Sequence, residues 1–384
     1  MMLAERMKRL GTETAFEVLA RAKAMEAKGR EIIHLEIGEP DFDTPRNIID
    51  AAIKALNGGY THYVPSAGLP DVRKVFAEFI TRDRGVEVKP ENIVVTPGAK
   101  PILFFSILAL VDEGDEVIYP NPGFPIYESV INFVGAKPVP IPLREEKAFS
   151  FDLEELRGLV NEKTKLMIIN SPQNPTGGVL TAADMKGIAE LADKYDAWIL
   201  SDEVYSKMVY EGKHVSIYDY PEVKDRTILL EGHSKTYAMT GWRLGYGIMP
   251  VALADQIAKL QTNSNSCTAS FTQMAGVEAL TGPQDESRKM MAEFKARRDL
   301  IVDGLNKIDG FTCLKPKGSF YVFPNITGTG MKSKQLEEHL LEKAGVAGLS
   351  GTSFGKYGEG YLRFSYANSQ ENIKKALEKI KEVL

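Results

Sequence analysis

Cysteine is nearly absent. The chain of 384 residues has two, Cys267 and Cys313, and no Cys-x-x-Cys pair, which argues against a disulfide framework and a cysteine zinc site. Histidine is sparse as well. His34, His62, His214, His233 and His339 are scattered without ligand spacing, so no metal is expected. No arginine-rich run or basic patch stands out and the net charge is −5, which argues against a nucleic-acid partner. A run of about eighteen apolar residues is missing, so no transmembrane helix and no membrane partner are expected. Met1 to Leu10 alternate charges without an apolar core and do not read as a signal peptide; a cytoplasmic setting is the expectation. No Gly-x-Gly-x-x-Gly follows a strand, and the nearest approach, Gly245-x-Gly247, runs into Met249-Pro250. A nicotinamide dinucleotide site is thereby removed.

What is present is ordinary in bulk: 43% apolar and 26% charged residues, a composition that suits a globular enzyme with a sizeable core. Short β-branched runs alternate with amphipathic stretches. The expected strands are Asn92 to Thr96, Glu116 to Tyr119, Pro138 to Ile141, Leu166 to Asn170, Ala197 to Ser201, Thr227 to Glu231 and Leu244 to Ile248. Most are almost continuously apolar, as strands covered on both faces are. With helical segments such as Ala99 to Val111 and Ala183 to Tyr195 between them, the pattern predicts an α/β fold, a mainly parallel sheet flanked by helices. Beyond Pro250 the pattern changes. Val251 to Thr281 reads as helical with a polar interruption at Asn263 to Ser266, and Glu286 to Ile308 as a charged helix. Strands are expected at Phe311 to Leu314, Ser319 to Phe323 and Gly360 to Ser365, then a helix over Gln370 to Leu384. The division expected is a large domain, 46–285, and a smaller α+β domain made of 1–45 and 286–384. Gly345 to Gly360, interrupted by Phe354 and Tyr357, reads as an ordered loop.

Four segments carry chemistry. Lys235 follows the apolar run Thr227 to Leu230, with Ser234 before it and Arg243 eight positions on. An amine, a hydroxyl and a guanidinium in that arrangement suit pyridoxal phosphate: the amine condenses with the cofactor aldehyde and the other two hold the phosphate. Asp202, in Ser201-Asp202-Glu203-Val204-Tyr205, ends a strand, the place where open α/β sheets bind ligands. A carboxylate there accepts a hydrogen bond from a ring nitrogen and keeps the ring protonated, and Tyr205 can reach the ring oxygen; by itself Asp202 serves equally well as a helix cap. Asn174, in Asn170-Ser171-Pro172-Gln173-Asn174-Pro175-Thr176-Gly177, can donate to the same oxygen, although such compositions also make plain turns. Thr96-Pro97-Gly98-Ala99-Lys100 joins a strand to an apolar helix and leaves amides free for phosphate. Arg243 adds a planar fork suited to the same anion.

Taken together, Asn174-Pro175-Thr176-Gly177, Ser201 to Tyr205, Ser234-Lys235-x-Tyr-Ala-Met-Thr-Gly-Trp-Arg243 and Tyr361-Leu362-Arg363-Phe364-Ser365 resemble the motifs of class I/II aminotransferases, pyridoxal phosphate enzymes of fold type I. Ile37-Gly38-Glu39-Pro40-Asp41-Phe42 and Tyr63-x-Pro65-x-x-Gly68 extend the likeness, which runs from about residue 30 to the end and is greatest to the prokaryotic aspartate and aromatic enzymes. The resemblance implies a seven-stranded sheet, pyridoxal 5′-phosphate as cofactor, and ping-pong transfer of an amino group between an L-amino acid and a 2-oxoacid. Aspartate with 2-oxoglutarate is the first expectation; aromatic amino acids, alanine, or a β-lyase reaction on the same fold are the alternatives. It further implies that Lys235 holds the cofactor and moves the proton, Asp202 faces the ring nitrogen, Tyr205 and Asn174 contact the ring oxygen, and Phe124 stacks on the ring. Ala99, Lys100, Ser234 and Arg243 would surround the phosphate. Arg363 would clamp the substrate α-carboxylate beside the Gly38 backbone and Asn174, with Lys100 reaching a distal carboxylate. Tyr63 would reach the phosphate of a neighbouring subunit, hence a homodimer with shared sites. Three positions depart from the pattern: Phe124 stands where tryptophan or tyrosine is common, Gly232 where some relatives carry a hydroxyl, and Pro101 where several aspartate-selective relatives have glutamine.

Overall fold

The computed structural model describes residues 3–384. Seven strands form its main sheet: β1 (Ile93–Thr96), β2 (Glu116–Asn121), β3 (Lys137–Pro142), β4 (Thr164–Asn170), β5 (Trp198–Asp202), β6 (Thr227–Gly232) and β7 (Gly245–Ile248). Their spatial order is β1-β7-β6-β5-β4-β2-β3. β7 runs antiparallel to both its neighbours and the remaining pairs are parallel. This is the seven-stranded, mainly parallel sheet that the resemblance implies. All seven strands lie within a residue or a few of the expected runs, because apolar β-branched stretches covered on both faces leave a continuous signal.

Register decides what the sheet presents at its edge. Asn170 pairs with Asp202, and Asp202 with Leu230. Gly232 and Thr96 both pair with Gly245. The carboxyl ends of four parallel strands therefore share one edge, and the motif residues follow directly from them. Helix Lys100–Leu110 is apolar all round. It buries Ile102, Leu103, Phe105 and Ile107 between the sheet and helix Val251–Asn265, and each such side chain contributes about 1.5–3 kcal/mol. Helix Ala182–Tyr195 covers the other face and opens on a capping box between Thr181 and Asp184.

Beyond Pro250 the helical stretch divides into Val251–Asn265 and Ser270–Thr281 at the expected polar interruption, the first ending at Ser266 with φ +65°. Two features depart from the expectation: helix Ser333–His339 lies outside the expected elements, and one expected strand is missing. Phe311 to Leu314 is not a strand: only Thr312 bridges to Asn325. Its backbone is engaged elsewhere, since the Asn306 side chain accepts from Cys313 N at 2.8 Å and donates to Cys313 O at 3.0 Å. Tyr321–Val322, Leu362–Ser365 and Leu349–Ser350 form a small antiparallel sheet, and Ile33–His34 pairs in parallel with Val346–Ala347. The loop 345–360 is ordered by these pairings. Its core, with Phe294, Phe320, Phe364 and Tyr366, also takes in Tyr205 from beyond β5.

Candidate active site

Lys235 stands on a single helical turn, His233–Thr236, that follows β6 without a break. Its amine donates to Gly38 O at 2.5 Å and lies 5.6 Å and 5.9 Å from the ring centres of Phe320 and Tyr205. Desolvation in this pocket lowers the amine to about 8; Glu39 opposes the shift, whereas Arg363 and Arg243 add to it.

Asp202 ends β5. Tyr127 donates to its Oδ2 at 2.7 Å, while Oδ1 receives only a long 3.4 Å contact from Val204 N. Burial pushes this carboxyl up to about 6, against the pull of Tyr127 and Val204. A buried acid with spare acceptor capacity is suited to a cationic ring N–H, which would hold it ionised. Asn170 Nδ2 donates to Asp202 O at 2.9 Å and its Oδ1 accepts from Asn174 N at 2.9 Å. That pair of bonds ties the Asn174 turn to the end of β5.

Arg363 lies on the strand Leu362–Ser365 of the small sheet. Its Nη1 donates to Asn174 Oδ1 at 3.1 Å and its Nη2 to Glu36 O. The guanidinium is held between the rings of Tyr321 (4.5 Å) and Phe354 (4.9 Å), and Nε is enclosed without a hydrogen-bond partner. Burial disfavours the charge on Arg363, so a carboxylate arriving here meets an under-satisfied planar cation.

The anion end is built on backbone. Gly98 has φ +89°, and a Cβ there would lie 2.2 Å from Arg243 Nη2. Thr96 Oγ1 donates to Gly98 O at 2.7 Å and fixes the turn. Ala99 and Lys100 then open helix Lys100–Leu110, with Ser234 and Arg243 arriving from the segment after β6. A glycine turn, the first amides of a helix and a guanidinium laid against that turn fit a phosphate. With Lys235 and Asp202 alongside, the residues fit pyridoxal phosphate. Phe124 closes the cleft from another side, 5.9 Å edge-on from Tyr127 and 5.3 Å from Lys100 Nζ.

One cleft thus gathers Lys235, Asp202, Tyr205, Asn174, Arg363, Gly38, Ala99, Lys100, Phe124, Ser234 and Arg243. Tyr63 stands outside this group, 88% exposed. Several participants carry no signal of their own in the sequence. Tyr127 is foreshadowed only by its place three residues after Phe124. Tyr321 shares a hydrogen bond of 2.8 Å with the Tyr205 hydroxyl. Behind Asp202 lies a buried ionic group: Arg84 Nη2 meets Glu203 at 2.9 Å and Glu231 at 2.5 Å, and His214 meets Glu203 at 2.6 Å. Burial pushes Glu203 up, but His214 and Arg84 outweigh it and hold the acid at about 2. Burial and the neighbouring Glu203 raise Glu231 to about 7 despite Arg84. Among the described residues no group of three or more His, Cys, Asp and Glu could hold a metal ion, and no helix is long and apolar enough to cross a membrane.

Comparison with known proteins agrees with this geometry. The family model described as aminotransferase class I and II matches residues 30–380. An aspartate aminotransferase of Pyrococcus horikoshii is 42% identical over 388 residues, spanning 100% of this chain and 97% of that protein. A probable aspartate/prephenate aminotransferase of Aquifex aeolicus is 42% identical over 389 residues, spanning 100% and 98%. The solved structure of aspartate aminotransferase from Thermus thermophilus with maleate matches with a TM-score of 0.95 at 36% identity, covering 100% of both chains.

Proposed function

The chain belongs to the class I and II aminotransferases, pyridoxal phosphate-dependent enzymes, and we propose that it moves the amino group of aspartate to a 2-oxoacid such as 2-oxoglutarate. The observation that carries the substrate is the pairing of two cations across one cleft, Arg363 at the inner end and Lys100 on the side of Phe124. Two positive groups, one of them buried, suit a substrate with two carboxylates. The names of the relatives from P. horikoshii and A. aeolicus support the same choice.

The cofactor supplies an aldehyde that takes up the amino group and a protonated ring that accepts the electron pair left on the substrate α-carbon. The chain's residues do the rest. Asp202, kept acidic enough to ionise beside a cation, retains the proton on the ring nitrogen. Tyr205 and Asn174 address the ring oxygen. The Ala99 and Lys100 backbone amides, Ser234 and Arg243 would grip the phosphate. Arg363 takes the α-carboxylate as a planar fork and sets the Cα–H bond in the direction of Lys235, an orientation that lowers the entropic part of the barrier. The Lys235 amine, brought near neutral pH by desolvation, would take the α-proton and hold it for return to the carbon on the other side of the transferred nitrogen.

In this reading the large domain is 46–285 and the small one 1–45 with 286–384, so that Gly38 and Arg363 of the second face Lys235 of the first. The working form is a cytoplasmic homodimer in which Tyr63 completes the partner's phosphate site. The test is a panel of amino donors with 2-oxoglutarate, pyruvate and oxaloacetate as acceptors. Aspartate should give the highest kcat/KM. Turnover led by aromatic donors or alanine would overturn the substrate, and release of ammonia and pyruvate without an acceptor would indicate a lyase.

A further inference from the structure

The segment that precedes the first long helix crosses the mouth of the cleft. Gly11 N donates to Ser129 Oγ at 2.9 Å, and that hydroxyl donates back to Gly11 O at 3.1 Å. Arg9 reaches Phe133 O at 3.3 Å. From this anchor on helix Ile126–Val134 the chain runs to helix Ala15–Glu26, whose Val18 and Ala22 are buried. Held at both ends, the stretch between turns Glu13 inward. Its side chain is 21% exposed and forms an ion pair with Lys100 Nζ. Its charge is felt by Lys235, Arg363 and Tyr321. Lys100 keeps its contact with the Phe124 ring at the same time. The carboxylate of Glu13 therefore occupies space bordered by the two cations that would receive the ends of a dicarboxylic substrate.

We infer that Glu13 is a built-in occupant of the distal subsite: its carboxylate takes the place on Lys100 that a substrate's second carboxylate requires. Dicarboxylic substrates enter by displacing it, whereas a neutral side chain meets a distal wall already balanced in charge. The inference rests on the reading of Lys100 as the distal recognition group. A tethered carboxylate competes at a high effective concentration. Its grip is limited, because Lys100 is 44% exposed and the pair is screened by solvent. The expected handicap for dicarboxylates is accordingly modest, about two- to fivefold in affinity. A purely structural role for the pair would shift all substrates alike.

The test uses holoenzyme and maleate, a dicarboxylate without an amino group, with binding followed by calorimetry. Glu13→Gln should tighten maleate about two- to fivefold and lower the ratio of KM for aspartate to KM for alanine by the same factor. Lys100→Ser should weaken maleate, and adding Glu13→Gln to it should bring no further change. Unchanged or weaker maleate binding in Glu13→Gln, with Lys100→Ser still weakening it, would overturn the inference alone. Unchanged binding in Lys100→Ser would overturn the reading of Lys100 itself, and the inference with it.

Discussion

Lys235 has to act first as a nucleophile and then as a base, and both tasks need the neutral amine. An ordinary lysine titrates near 10.4 and is almost wholly charged at neutral pH. Here removal from water brings the group to about 8, so an appreciable fraction is neutral where the enzyme works. The sign follows: the neutral form accumulates as pH rises through the lowered value. Reconstitution of apoenzyme with pyridoxal phosphate, timed by the visible absorbance, should speed up about tenfold per unit below the midpoint and level off above about pH 8. A rate still climbing at pH 10 would mean that the pocket does not desolvate the amine. The identity of this lysine was legible because Ser234, Lys235 and Arg243 stand in a single short segment. Glu13 and Tyr321 were not, since their partners, Lys100 and Tyr205, lie far away in sequence and only the fold brings them close.

Elements were legible in proportion to their burial. β4 and β5 carry unbroken apolar runs that place them to within two residues, whereas Ile33–His34 and Leu349–Ser350 are too short to show any period. The false strand Phe311 to Leu314 shows the opposite error, an apolar run whose backbone is satisfied by the Asn306 side chain instead of a neighbouring strand. The reversed direction of β7 was equally hidden, because an antiparallel strand buried on both faces has the same composition as a parallel one. The turn between β1 and helix Lys100–Leu110 is where an element meets function. Gly98 adopts φ +89° with Arg243 laid across the place of its missing side chain. Alanine there would strain the backbone by roughly 1–3 kcal/mol and push the guanidinium away. Gly98→Ala should weaken pyridoxal phosphate binding to apoenzyme by about tenfold or more, as read by titration of the visible absorbance. Affinity equal to that of the unaltered protein would show that this turn does not form the anion site.

At the scale of the whole molecule the surface carries a feature that a lone chain does not explain. Ile53 and Leu56, on helix Arg46–Asn57, and Tyr60 and Tyr63, just beyond it, are all exposed, Tyr63 to 88%. Large apolar and aromatic groups gathered on one stretch are usually covered by a partner. In a two-fold dimer the same stretch would meet its copy or the copy's cleft, and the Tyr63 hydroxyl would reach the other subunit's phosphate site. Complementation separates this arrangement from a self-contained monomer. Lys235→Ala should be inactive, and Tyr63→Ala should need far more cofactor to reach full activity. In a heterodimer of the two, one site combines both lesions and the other has neither. Random pairing on co-expression should restore high-affinity turnover to about a quarter of the sites. A mixture no better at limiting cofactor than the Tyr63→Ala protein it contains would mean that each subunit builds its phosphate site unaided, and the exposed aromatic stretch would need another partner.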